Sequence, residues 1–188
     1  DLRGQRLLAK NEAAIGNFTA AYQAQMRVIE LMGPAVDATA LTDYAEMLIS
    51  AAGGLVSSRA EDALRRALQI DPQNGVARYN IGLMLSQINR PDQAFAVWQQ
   101  LVMEGPADAS WIEPIQLHLK DMVSGLAERL ALEGGSPEEW ARMIGALCVL
   151  RDEQRASSVY NTALVTFAGY PAAIEVIRTH ARQAGLIP

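Results

Sequence analysis

The chain of 188 residues holds one cysteine, Cys148, and two histidines, His118 and His180. A lone cysteine makes no intrachain disulfide, and neither histidine has a Glu or His partner at ligand spacing. No metal site, catalytic triad or cofactor is therefore expected, and the chain reads as no enzyme. Lysine is scarcer than arginine, with only Lys10 and Lys120, and the net charge is −5. An acidic balance opposes a surface that tracks phosphates, so nucleic acid is not an expected partner. No stretch of about 18 apolar residues is present, which excludes a membrane-spanning helix within the sequence. Ala51-Ala52-Gly53-Gly54 lacks the lysine and the preceding strand that a phosphate loop requires. A Cys-x-x-Cys-His haem attachment motif is also missing. The first residues, Asp1-Leu2-Arg3-Gly4, carry neither an initiator Met nor a signal peptide, so the sequence reads as a piece of a longer protein. Any membrane association is expected only through an N-terminal anchor outside this sequence.

The remaining candidates for chemistry have plain structural readings. Cys148 lies among Ala146, Leu147, Val149 and Leu150, the setting of an inert buried thiol. Glu61-Asp62 and Glu138-Glu139 each fall in the first turn of an expected helix, where negative charge favours the helix dipole. His180, between Arg178 and Arg182, reads as part of a solvated face.

What the sequence does contain is a repeat. Met47 and Ile81, Ala60 and Ala94, Leu64 and Trp98, Ala67 and Leu101, and Pro72 and Pro106 are matched pairs, every pair at the same spacing. That spacing, about 34 residues, is the period of a two-helix tetratricopeptide unit. Gly82 and Ala94 are small where paired helices approach, Trp98 and Leu101 fill the gap to the next pair, and Pro106 ends the unit. A third copy follows later, with Trp140, Ala156, Tyr160 and Ala163 matching Arg78, Ala94, Trp98 and Leu101 at one common offset. That offset exceeds one period by most of another, so an extra helix is expected between the copies. A weaker copy opens the chain. Its Ala21 stands slightly more than one period before Ala60, and Gln25 occupies the place of Leu64. The expected fold is an all-α tetratricopeptide-repeat superhelix of about ten helices, with an inserted long helix and a C-terminal capping helix. It reads as a single domain over 1–188. Its units are about 2–33, 41–72, 75–106 and 137–168, with the extra helix over 111–133 and the cap over 171–184. The segment 33–40 reads as a loop.

In such arrays the first helices of successive pairs line a concave surface. The residues expected there are Val76, Tyr79, Asn80, Leu83 and Gln87 in the unit from Gly75, and Thr42, Ala45, Glu46 and Ile49 in the unit from Leu41. Arg3, Arg6 and Lys10 come from the opening unit, and Ala141, Arg142 and Gly145 from the unit at Pro137. The peptide-binding groove is thus assigned to Ala45, Ile49, Val76, Tyr79, Asn80, Leu83, Gln87 and Arg142. An apolar centre with one basic end suits an amphipathic helix better than an extended acidic tail.

The order of three further runs is narrower than the repeat: Ala51-Ala52-Gly53-Gly54-Leu55-Val56, Pro106-Ala107-Asp108-Ala109-Ser110-Trp111, and Met122-Val123-Ser124-Gly125-Leu126 through Leu130. With them the chain resembles the periplasmic domain of the CcmI (CycH) family of cytochrome c biogenesis proteins. The resemblance implies a chaperone that holds the C-terminal helix of apocytochrome c and presents the chain to the haem-ligation complex. It also implies a place in the periplasm, tethered to the inner membrane through an N-terminal anchor in the full-length protein. The alternative from the repeat alone is a scaffold for another protein partner.

Overall fold

The computed structural model describes residues 1–106 and 108–188. Among them are ten α-helices and no strands. In chain order these are α1 (Leu2–Ala14), α2 (Phe18–Met32), α3 (Ala38–Ala51), α4 (Ser58–Ile70), α5 (Gly75–Gln87), α6 (Pro91–Glu104), α7 (Ile112–Glu133), α8 (Pro137–Val149), α9 (Glu153–Thr166) and α10 (Pro171–Gln183). The inserted helix and the cap stand where the sequence puts them.

Helix starts follow side-chain chemistry. Asp1, Asn17, Asp37, Ser57, Asn74, Ser136 and Asp152 each accept a hydrogen bond from a backbone N–H in the first turn of the helix they precede, which satisfies a donor that has no partner inside the helix. Ser136 and Glu139 form a reciprocal capping box. The segment expected as a loop over 33–40 is shorter than that. A 3-10 turn occupies Gly33–Ala35, and α3 begins at Ala38 because the Asp37 carboxylate accepts from the Ala40 N–H at 2.7 Å.

Where the sequence reads as a single domain, contacts gather the chain into two compact units, Asp1–Val97 and Trp98–Pro188, divided within α6. Helices in such an array touch mainly their sequence neighbours, so no one core gathers the whole chain. In the first unit α1 packs on α2, α2 on α3, α3 on α4 and α4 on α5. Its core joins Leu41, Tyr44, Ala45 and Leu48 of α3 to Ala60, Leu64 and Ala67 of α4 and Ala77 of α5. Arg59 of α4 ties this core to two neighbours. Its guanidinium donates to the Tyr44 hydroxyl at 2.6 Å and lies over the rings of Tyr22 and Tyr44.

In the second unit α7 packs on α8, and α8, α9 and α10 pack on one another. Ile144, Ala163, Ile177 and Ala181 are its sealed centre, and Leu186 and Ile187 of the tail close over it. The cap reading of α10 rests on those contacts. Trp98 stacks on His118 of α7, with ring centroids 5.1 Å apart.

The repeat register agrees with burial at the small positions and at two of the large ones, while Tyr160, the matching place in the last copy, is half-buried. Ala21, Ala60, Ala94 and Ala156, the four small positions, have no exposure at all, and Leu64 and Trp98 have none either. Gln25 departs from the pattern. It occupies the large apolar place of the opening unit, is 4% exposed, and donates from Nε2 to the Ala40 carbonyl at 3.0 Å. A hydrogen bond between α2 and the start of α3 thus replaces an apolar contact. Trp98→Ala removes a fully buried side chain and is expected to destabilise the chain by about 3–5 kcal/mol. Urea unfolding followed by circular dichroism measures it, and a midpoint equal to that of the unaltered chain would show the register to be wrong.

Candidate functional site

The open surface of the first unit is built on three helices. On α1, Arg3, Arg6 and Lys10 recur at helical spacing and all are exposed. On α3 the outward residues are Thr39, Asp43, Glu46, Met47 and Ser50. On α5, Val76, Tyr79 and Leu83 are half-buried. A cleft of ≈ 610 Å³ is lined by Arg6, Lys10 and Ala13 of α1, Gln25 of α2, Asp37 at the start of α3, and Thr39, Ala40, Asp43 and Met47 of α3.

Several residues of the first unit assigned to the groove are buried. Ala45 has no exposure and Ile49 only 7%; both belong to the core of the first unit and cannot touch a ligand. Thr42 is buried as well, its hydroxyl donating to the Thr39 carbonyl. Asn80 is 3% exposed, and its Nδ2 donates to the Val76 carbonyl on its own helix at 3.0 Å. Gln87, exposed at the end of α5, is a staple within the chain. Its Nε2 donates to the Gly54 carbonyl at 2.8 Å, and its Oε1 accepts from the Val56 N–H at 2.9 Å. It thereby fixes the turn after α3, where Gly53 and Gly54 adopt φ +64° and +95°, a backbone conformation that only glycine takes without strain. Arg142, with Ala141 and Gly145, lies in the second unit, on α8. Val76, Tyr79, Leu83 and Glu46 remain on the open surface of the first unit, and Leu83 also leans on the core.

The correction on α3 is a rotation. The face assigned from sequence runs through 42, 45, 46 and 49, whereas the outward stripe runs through 39, 43, 46, 47 and 50. Apolar Ala45 and Ile49 face inward because the core takes them first. Asp43 and Glu46, the two charged residues of α3, are the signal in the sequence that marks the outward side.

The groups on this stripe influence one another. Burial and the neighbouring Asp37 raise the Asp43 carboxyl above its ordinary value, while Arg6 draws it partly back. Burial and Asp43 raise Glu46, and burial and Glu46 raise the Tyr79 phenol. In the second unit a cleft of ≈ 290 Å³ is lined by residues including Met103, Cys148, Arg151 and Arg182. Burial, and then Glu153, push the Cys148 thiol up, which makes it a poor nucleophile. Among the described residues no group of three His, Cys, Asp or Glu side chains is placed to hold a metal. None of the described helices is long and apolar enough to cross a membrane.

Two outcomes follow from this geometry. Gln87→Ala removes both bonds of the staple and is expected to speed hydrogen exchange at the Val56 amide by tenfold or more; unchanged exchange there would show the turn holds itself. For Glu46, a carboxyl raised in the fold binds its proton more tightly folded than unfolded. Its contribution therefore turns against stability as pH rises from the ordinary carboxylate range through the raised value. Glu46→Gln is expected to raise the thermal midpoint at pH 7, with the gain fading towards pH 4. A lower midpoint at pH 7 would mean that Glu46 has a stabilising partner.

No family model matches the chain. Cytochrome c-type biogenesis protein CycH of Rhizobium meliloti (strain 1021) is 27% identical over 205 residues, covering 89% of this chain and 53% of that protein. Cytochrome c-type biogenesis protein CycH of Bradyrhizobium diazoefficiens is 29% identical over 187 residues, covering 83% of this chain and 50% of that one. The chain thus spans about half the length of the curated relatives it matches. Over that stretch the chain is similar to the CycH (CcmI) proteins, which are named for cytochrome c biogenesis.

Proposed function

We propose that this chain serves cytochrome c biogenesis as a chaperone without catalytic activity, its first unit receiving the C-terminal helix of an apocytochrome c. In this reading the bound apocytochrome is handed on to the haem-ligation complex. The chaperone works in the periplasm, held at the inner membrane by an N-terminal anchor of the full-length protein. No cofactor takes part. The kinship with CycH over most of the chain is the observation that carries the proposal.

The open surface supports a helical ligand. Met47 on α3 and Tyr79 on α5 are half-buried and project where the core does not need them. A helix laid in a groove draws most of its affinity from a few apolar or aromatic anchors of this kind. An unfolded cytochrome exposes the apolar stripe of its terminal helix, whereas the folded, haem-loaded protein packs that stripe away.

Calorimetric titration with a synthetic C-terminal peptide of an apocytochrome c tests the reading. Replacing Met47 and Tyr79 together by Ala is expected to weaken binding about tenfold or more, a change of about 1.4 kcal/mol, with helicity unaltered. Leu83 is left in place because its contact with the core would mix stability with affinity. Unchanged affinity in a folded double variant would move the site off this surface. Equal affinity for apo and haem-loaded cytochrome would remove the chaperone role.

A further inference from the structure

The two walls of the cleft carry opposite charge. On α1, Arg6 and Lys10 form the basic wall, with Arg3 a turn away on the same face, and the one acidic residue of the helix, Glu12, accepts a hydrogen bond from Asn17 Nδ2 at 2.7 Å. Opposite it, Asp43 of α3 and Asp37 at the helix start line the acidic wall, Glu46 continues the outward stripe three residues beyond Asp43, and there is no Lys or Arg anywhere in Ala38–Ala51. Among the described residues neither Asp43 nor Glu46 makes an ion pair. Arg78 on α5 donates to Gln73 at 3.2 Å. Met47 and Ala13 supply apolar surface within the cleft itself.

We propose that the cleft fixes the direction of its ligand helix by charge. The helix it fits carries basic side chains on one flank of its apolar stripe, which lie along Asp43 and Glu46, and acidic side chains on the other, which lie along Arg6 and Lys10. This rests on the reading that the first unit binds a helix. Turning a helix end for end in a groove exchanges its flanks. With walls of opposite sign, one direction pairs both flanks and the other opposes both. A groove of one sign could not make that distinction. Like charges brought together at such a contact cost more than the matched pairs gain, so register and direction follow from electrostatic complementarity.

The charges of the acidic wall bear on this. Burial raises both carboxyls, and like charge adds to it, Asp37 acting on Asp43 and Asp43 on Glu46. Basic side chains from a ligand relieve that repulsion. The free chain therefore bears a cost that binding removes, the pattern of charges kept for recognition rather than for stability.

The test uses two synthetic helical peptides with the same composition and the same apolar stripe, one with Lys on the left flank and Glu on the right, the other with the flanks exchanged. Each carries a nitroxide at its N-terminus, and paramagnetic broadening of amide signals is read at the two ends of α1. The two peptides are expected to bind comparably but in opposite directions, one broadening Leu2 to Gln5 and the other Ala13 to Gly16. A third peptide with Lys on both flanks is expected to bind at least fivefold more weakly at low salt, the gap narrowing as salt screens the basic wall. Glu46→Gln, which leaves the apolar contacts in place, is expected to blur the directional preference. Broadening of the same end by both peptides, or of both ends by each, would overturn the charge scheme. If these peptides fail while an apocytochrome helix binds, the scheme falls and the proposed function stands; if no helix binds at all, both fall.

Discussion

Everything in this chain depends on how closely paired helices approach. At the four small positions of the repeat stands an alanine with no exposed surface: Ala21, Ala60, Ala94 and Ala156. A larger side chain there would wedge the pair apart and force off-rotamer packing on both helices. Close approach is also what makes the large neighbours useful. Leu64 and Trp98 are sealed completely only because the backbones beside them are near. Burial of these few side chains supplies the driving force that short helices lack on their own.

The same constraint decides what is left for a ligand. Once α3 has given Leu41, Tyr44, Ala45, Leu48 and Ile49 to the core, its outward stripe is narrow and mostly polar. The open surface of the first unit is consequently not a greasy trough. Of its apolar elements, Met47 shares the cleft with Asp43 on one side and Arg6 and Lys10 on the other, and Tyr79 feels the charge of Glu46. Such a surface recognises pattern more than bulk hydrophobicity.

The fold is legible in the sequence because its cause is local and periodic. Small residues recurring in step with the repeat, helix caps, and prolines at helix starts record the backbone path directly. The exceptions have physical reasons. The opening unit reads as weak at Gln25 because a buried amide that donates to Ala40 cannot be told from an exposed one by residue type. The loop before α3 reads as too long unless Asp37 is recognised as a cap. The site is legible only in part. Helical spacing puts Tyr79 and Leu83 on the open surface of the first unit, but a rotation on α3 exchanges Ala45 and Ile49 for Asp43 and Met47. Spacing fixes which residues share a face; it does not say which of two apolar faces the core will claim. Gln87 reads as a ligand contact because its partners, Gly54 and Val56, come from a distant turn that no local pattern reveals.

That long reach of Gln87 has a consequence for how the chain is made. The turn between α3 and α4 is closed by a side chain of α5, the first helix of the following pair. A growing polypeptide emerges from its N-terminus onward. The turn of one helix pair therefore stays unlatched until the first helix of the next pair has emerged and docked. Maturation there proceeds in one direction along the chain, the later pair locking the one synthesised before it.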